Sequence, residues 1–256
     1  MFLSHTGTHP ATPSAHTPEA VRSRLGAAPG HSYLRDLVYG AVDGTVTTFA
    51  VVAGVAGAQL APRIVVVMGL ANVVADGFSM AVGNFLATRA ERQLLQRARR
   101  MEEQHVERVP LGEREEVRQI YAGKGFAGDD LERAVAVITS DRRRWVDTML
   151  REELGLSTDG PSPARAALAT FAAFVAAGFV PLLAFIGQLL LGPGGFQPFA
   201  WSVAMTALVF FAIGTLKSRF VEQPWYRGGL EVLGVGGGAA LLSYGVGLLL
   251  KNVGAS

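Results

Sequence analysis

Two aspartates fall inside stretches long and apolar enough to cross a bilayer: Asp43 in LRDLVYGAVDGTVTTFAVVAGVAGA and Asp76 in IVVVMGLANVVADGFSMAVGNFL. An ionisable side chain at membrane depth is costly and marks ion paths and proton relays. Met80 follows Asp76 by four residues and so shares its helix face. A carboxylate beside a thioether makes a mixed hard and soft site. It suits a borderline first-row divalent ion better than calcium or magnesium, which take all-oxygen shells. Desolvation favours a protonated acid and a bound cation favours an ionised one, so protons and metal compete for such a site.

Asn72, a further four residues back, and the hydroxyls of Thr45, Thr47, Thr48 and Ser79 extend a polar track along the two segments. The bland alternative for each hydroxyl is a bond to its own helix backbone. For Asp43 it is an ion pair with Arg35 or a bond to a backbone group. The ligand set is too small to enclose an ion, and two copies facing each other across a dimer axis would complete it.

A second set of candidate ligands lies in a charged segment. Glu102 and His105, Glu113 and Glu116, and Met149 and Glu153 all recur at helix-face spacing. Glu-x-x-His is the spacing used in carboxylate-bridged metal bundles, where facing helices supply further glutamates. Such acids are also common on solvated, salt-bridged helix faces, and Met149 is equally suited to core packing.

The elements that must position these groups are helices. Half of the 256 residues are hydrophobic, 17% are charged and 31 are glycine, with a mean hydropathy of +0.30. This is the composition of a membrane protein. Residues 89–165 hold 15 of the 23 Lys and Arg and 15 of the 21 Asp and Glu, so the rest of the chain is lipid-like. A spanning helix needs about 20 apolar residues. Five stretches qualify: 37–58, 64–86, 166–191, 199–216 and 228–250. The predicted fold is therefore all-α, with five transmembrane helices and a three-helix insert between the second and third.

The domain reading is a disordered tail over residues 1–32, transmembrane helices 1 and 2 over 33–88, the insert over 89–162, and transmembrane helices 3 to 5 over 163–252. Within the insert, helices are expected at 91–109, ending before Pro110, at 113–125, and at 131–155. The tail carries His5, His9 and His16 at irregular spacing, a weak basis for a metal site. Glycines throughout the spans predict close helix packing. With no cysteine in the chain, thiolate ligands and disulfides are excluded.

Basic residues cluster at Arg22, Arg24 and Arg35, in the insert, and at Lys217, Arg219 and Arg227. The positive-inside rule then puts the N-terminus and the insert in the cytoplasm. At about 1.5 Å per residue, Asp43 and Met80 each lie about 9 Å from the cytoplasmic ends of their spans, and Asp76 about 15 Å. Asp43 and Met80 share a level as ligands, and Asp76, a turn deeper, is cast as the proton-coupling group.

The segments YGAVDGTVTTFAVVAGVAGA, ANVVADGFSMAVGNFLATRAE, VPLGEREEVRQIYAGKGF and AVAVITSDRRRWVDTMLREELGL resemble the vacuolar iron transporter family, bacterial branch, over residues 33–250. The resemblance implies a five-helix homodimer that exports ferrous iron from the cytosol in exchange for protons, with Asp43 and Met80 lining the path at the dimer interface. It also implies a cytoplasmic module gathering iron through Glu102, Glu113, Glu116, Met149 and Glu153. His105 departs from the glutamate usual at that place, Leu150 from a second methionine, and Val42 from the asparagine common beside the first aspartate. Imidazole still ligates iron, zinc or manganese.

The expectation is thus a secondary transporter and not an enzyme. It would have no permanent cofactor, would carry iron with manganese or cobalt as further ions, could hold zinc, manganese or cobalt in the insert's site, and would sit in the inner membrane of a bacterial cell without a nucleic-acid partner. No GxxxxGK[ST] loop is present to bind a nucleotide. The competing readings are a membrane-anchored di-metal oxidase, which normally needs Glu-x-x-His twice, and a metal sensor.

Overall fold

A computed structural model describes residues 17–26, 32–158, 160–192, 197–221 and 223–251. Among them every regular element is a helix: α1 Pro18–Gly26, α2 Leu34–Gly57, α3 Pro62–Arg108, α4 Pro110–Gly123, α5 Gly128–Thr139, α6 Arg142–Glu152, α7 Pro163–Leu191, α8 Pro198–Val221 and α9 Trp225–Leu250. Prolines mark the starts. Pro110 and Pro163 sit in the first helical positions of α4 and α7, where a missing N–H costs nothing. Five helices, α2, α3, α7, α8 and α9, are long and apolar enough to span a membrane. The protein is an integral membrane protein.

Two local expectations need correction. The tail is not wholly without structure, because α1 forms where Pro18 starts a turn and the Ala20 N–H donates to the Thr17 hydroxyl. His5, His9 and His16 lie outside the described residues. The helix expected over 131–155 is broken into α5 and α6. Asp141, with extended backbone, accepts the Arg144 N–H at 2.7 Å, which makes it the N-cap of a new helix.

The chain divides into two compact units, Met1–Phe85 with Ser162–Ser256, and Leu86–Pro161; α3 contributes to both. In the first, Phe49, Val52, Val65, Val73, Leu182, Phe185, Phe210 and Val232 form the core. Its helices meet through small residues. A Cβ at Gly40 would overlap the Thr170 carbonyl, and one at Gly44 the Phe174 carbonyl, so α2 and α7 touch backbone to backbone. Gly214 and Gly228 do the same for α8 and α9, and Gly57 and Gly247 for α2 and α9. Ser243 adds a hydroxyl donated to the Ala50 carbonyl at 2.5 Å. Close backbone approach of this kind replaces the hydrophobic drive that lipid does not supply.

In the second unit Val117, Val135, Ile138, Trp145 and Met149 pack as a small core. Ion pairs join its helices: Arg99 with Asp147, Arg142 with Glu107 at 2.6 Å, and Lys124 with Glu152 at 2.6 Å. Arg118 forks between Glu115 and Glu132, holding α4 to α5.

Candidate metal path and metal centre

Asp43 lies in the N-terminal half of α2, one residue before the Gly44 contact with α7, and is half-buried. Asp76 on α3 is near enough for its charge to act on Asp43. No salt bridge to Arg35 accompanies them among the described residues. Met80, half-buried, follows one turn on. Asn72 donates to the Thr47 hydroxyl at 3.5 Å, and Thr47 donates to the Asp43 carbonyl at 2.9 Å. Thr45 is bonded to the Ala41 carbonyl at 2.7 Å. Two of the expected track hydroxyls therefore serve their own helix, while the buried Thr48 hydroxyl has no hydrogen-bond partner. Val42 packs against the apolar core.

Asp76 differs from Asp43 in being exposed on the single chain, on a face of α3 shared by Ala71, Ala75, Ser79 and Gly83. Beyond the expected set, Asn84 donates its amide hydrogens to Asp36 at 2.8 Å and to Thr170 at 2.7 Å. Sequence periodicity carried a signal for both newcomers. Asp36 precedes Asp43 by seven residues and Asn84 follows Asp76 by eight, so each lies on the face of its neighbour.

In the second unit, Glu102 and His105 from α3 and Glu113 from α4 place one ligand atom each within 4.8 Å of one another. His105 Nδ1 is 3.3 Å from Glu113 Oε1. Glu102 and Glu113 are buried, and each has one carboxylate oxygen with no hydrogen-bond partner. A buried acid without a donor is under strong pressure to neutralise. Burial, then the charge of Glu116, pushes the Glu113 carboxyl up to about 7. Burial, then Glu153, raises Glu102; burial, then Glu116, raises Glu153. Glu116 and Glu153 are exposed, yet their charges reach the buried pair. Met149 is fully buried in the small core, beside Val117, Val135 and Trp145.

Four acids crowding one another, with an imidazole and two orphaned oxygens, form a donor set short of positive charge. A divalent cation is the kind of group that could supply it. The buried oxygens and the imidazole suit a first-row transition ion.

The model of the VIT family matches residues 34–248. The chain belongs to the VIT family. It is 33% identical to the vacuolar iron transporter of Toxoplasma gondii, over 95% of this chain and 84% of that protein. Vacuolar iron transporter 1 of Arabidopsis thaliana is 31% identical, with 82% and 83% covered. That of Oryza sativa subsp. japonica is 30% identical, with 83% covered on each side. This VIT family member accordingly stands among transporters and not among enzymes, which removes the oxidase reading.

Proposed function

We propose that the protein is a homodimeric, proton-coupled exporter of divalent transition metal, with ferrous iron as the principal ion and manganese and cobalt as further substrates. The relatives' names support iron. The observation that carries the reading is that Asp43 and Asp76 stand on two spanning helices, close enough for one charge to act on the other, with no salt bridge to either among the described residues. A divalent cation between two carboxylates on spanning helices offsets their charge, and protons can take its place. Metal and protons therefore occupy the site in turn, which is exchange. Met80 adds a soft donor that magnesium and calcium do not use.

Asp76 on an exposed, small-residue face of α3 supports a dimer. Lipid is a poor neighbour for a carboxylate, whereas a second copy across a two-fold axis supplies matching ligands. The insert would gather ions from the cytoplasm: Glu102, His105 and Glu113 hold the ion, while Glu116 and Glu153 add charge and outer ligands. Met149 is the softer donor on the buried side. The excess of Lys and Arg beside the insert supports its cytoplasmic placement and export from the cytosol, with the bacterial inner membrane as the host.

The test is ferrous uptake into proteoliposomes under an imposed pH gradient. Uptake that ignores the gradient, or an Asp43→Ala protein that transports as well as the unaltered one, would sink the mechanism.

A further inference from the structure

The residues at 72, 76, 80 and 84 form one row along α3, each four beyond the last. The two inner members are the path residues Asp76 and Met80. The two outer members are asparagines, and each is bonded to another helix. Asn72 reaches the Thr47 hydroxyl at 3.5 Å, a long bond. Asn84 makes two short ones, to the Asp36 carboxylate at 2.8 Å and to the buried Thr170 hydroxyl at 2.7 Å. An amide nitrogen has two hydrogens, and both are used.

What Asn84 is bonded to matters as much as the bonds. Thr170 and Phe174 are the α7 residues whose carbonyls meet Gly40 and Gly44 of α2 with no room for a Cβ. These helices form one fixed pair, and Asp43 is part of it. Helix α3 meets the pair differently: Gly69 rests against the Leu182 side chain and Gly77 against the Phe171 and Phe174 rings. Contacts with side-chain ends resist rotation weakly. Directional bonds resist it strongly, above all one to a carboxylate.

We infer that Asn84 is a positioning residue: by pinning α3 to both Asp36 and Thr170, it sets the rotation of the α3 row that carries Asp76 and Met80 relative to Asp43. The inference rests on the transport reading for its consequence, but not for its geometry. A helix turns by about 100° per residue, so even a fraction of that swing shifts Asp76 and Met80 relative to Asp43.

The chain has no cysteine, which permits a clean test in the full-length protein. Thr47→Cys and Asn72→Cys, on facing helices whose native side chains meet at 3.5 Å, are expected to cross-link rapidly with a short bifunctional thiol reagent. Adding Asn84→Leu should slow the cross-link about tenfold or more, the scale of one charge-assisted hydrogen bond. In proteoliposomes, Asn84→Leu should lower maximal metal flux by a similar factor and change the ratio of cadmium to manganese carried, because the soft donor is displaced. Exchanging the partners, Asp36→Asn with Asn84→Asp, restores a bond of the same kind with the same charge. It should recover flux to within about twofold, where Asn84→Asp alone does not. An unchanged cross-linking rate in Asn84→Leu overturns the inference, as does an exchanged protein that melts normally yet gains no flux over Asn84→Asp. Absence of metal flux in the unaltered protein would instead defeat the transport reading, and the cross-link would still decide the geometry.

Discussion

His105 Nδ1 and Glu113 Oε1 stand 3.3 Å apart, joining the end of one helix to the start of the next across the Val109 and Pro110 elbow. The exposed imidazole is the nearest neutralising group for an acid that is otherwise buried among acids. The contact therefore decides how the insert behaves without metal, and it makes the site sensitive to substitution on either side.

Glu113→Gln removes a buried charge while keeping the shape of the side chain. The protein without metal should melt at the same temperature or higher at pH 7.5, since a costly ionised group is gone. Its affinity for ferrous or manganous ion should fall at least tenfold, because loss of even an outer-shell partner costs about 10- to 100-fold. Calorimetric titration with manganese checks the second part, and thermal melting without metal the first.

Acid should weaken binding to the insert, and the direction for stability is the reverse. The Glu113 carboxyl is pushed up from 4.5 to about 7 in the folded protein, so between these values the folded state binds more protons than the unfolded one. Stability without metal then falls as pH rises through that window. Metal binding requires the ionised form and strengthens over the same window. Melting curves from pH 5 to 7.5 should show the gap between metal-bound and metal-free protein widening with pH. A gap constant across this range would contradict the assignment of Glu113 as a ligand.

Asp141→Ala deletes the cap that starts α6. A lost cap of this type costs about 1 kcal/mol. Because α6 carries Met149, and Glu153 follows its last residue, metal affinity of the insert should fall modestly while uptake through the membrane path stays near normal at saturating metal. Hydrogen exchange across residues 142–152 is the direct measure.

Gly44→Ala should be far more damaging than its size suggests. The new Cβ would overlap the Phe174 carbonyl, a backbone atom that cannot swing aside. Separation of α2 from α7 is expected to lower the yield of folded protein and to displace Asp43. Gly187→Ala on α7, whose Cβ meets nothing within 4 Å, separates this effect from a general intolerance of glycine replacement. Size-exclusion profiles and flux of the two variants distinguish them.

Much of the fold was legible because lipid makes charge conspicuous. Asp43 and Asp76 stood out against apolar neighbours, and five runs of spanning length predicted the five long helices. The break at Asp141 was hidden, since an aspartate inside a charged helical pattern looks like a surface residue until its backbone is seen to be extended. Asp36 and Asn84 were missed because polar groups near the ends of spans are ordinary, and a bond across 48 positions leaves no local pattern. In the insert, the Glu102 and His105 spacing was visible. Which acids are buried was not, because burial of Glu102 and Glu113 depends on how α3, α4 and α6 meet.

The backbone contact of α2 with α7 assigns parts in any alternating motion. Transporters expose a central site to one side and then the other by rocking one group of helices against another. Helices touching at Gly40 and Gly44 have no slack for sliding, and a tilt would drive carbonyl into Cα. On the proposed transport reading Asp43 is therefore mounted on the stator, and any rocking would fall to helices outside the α2 and α7 pair.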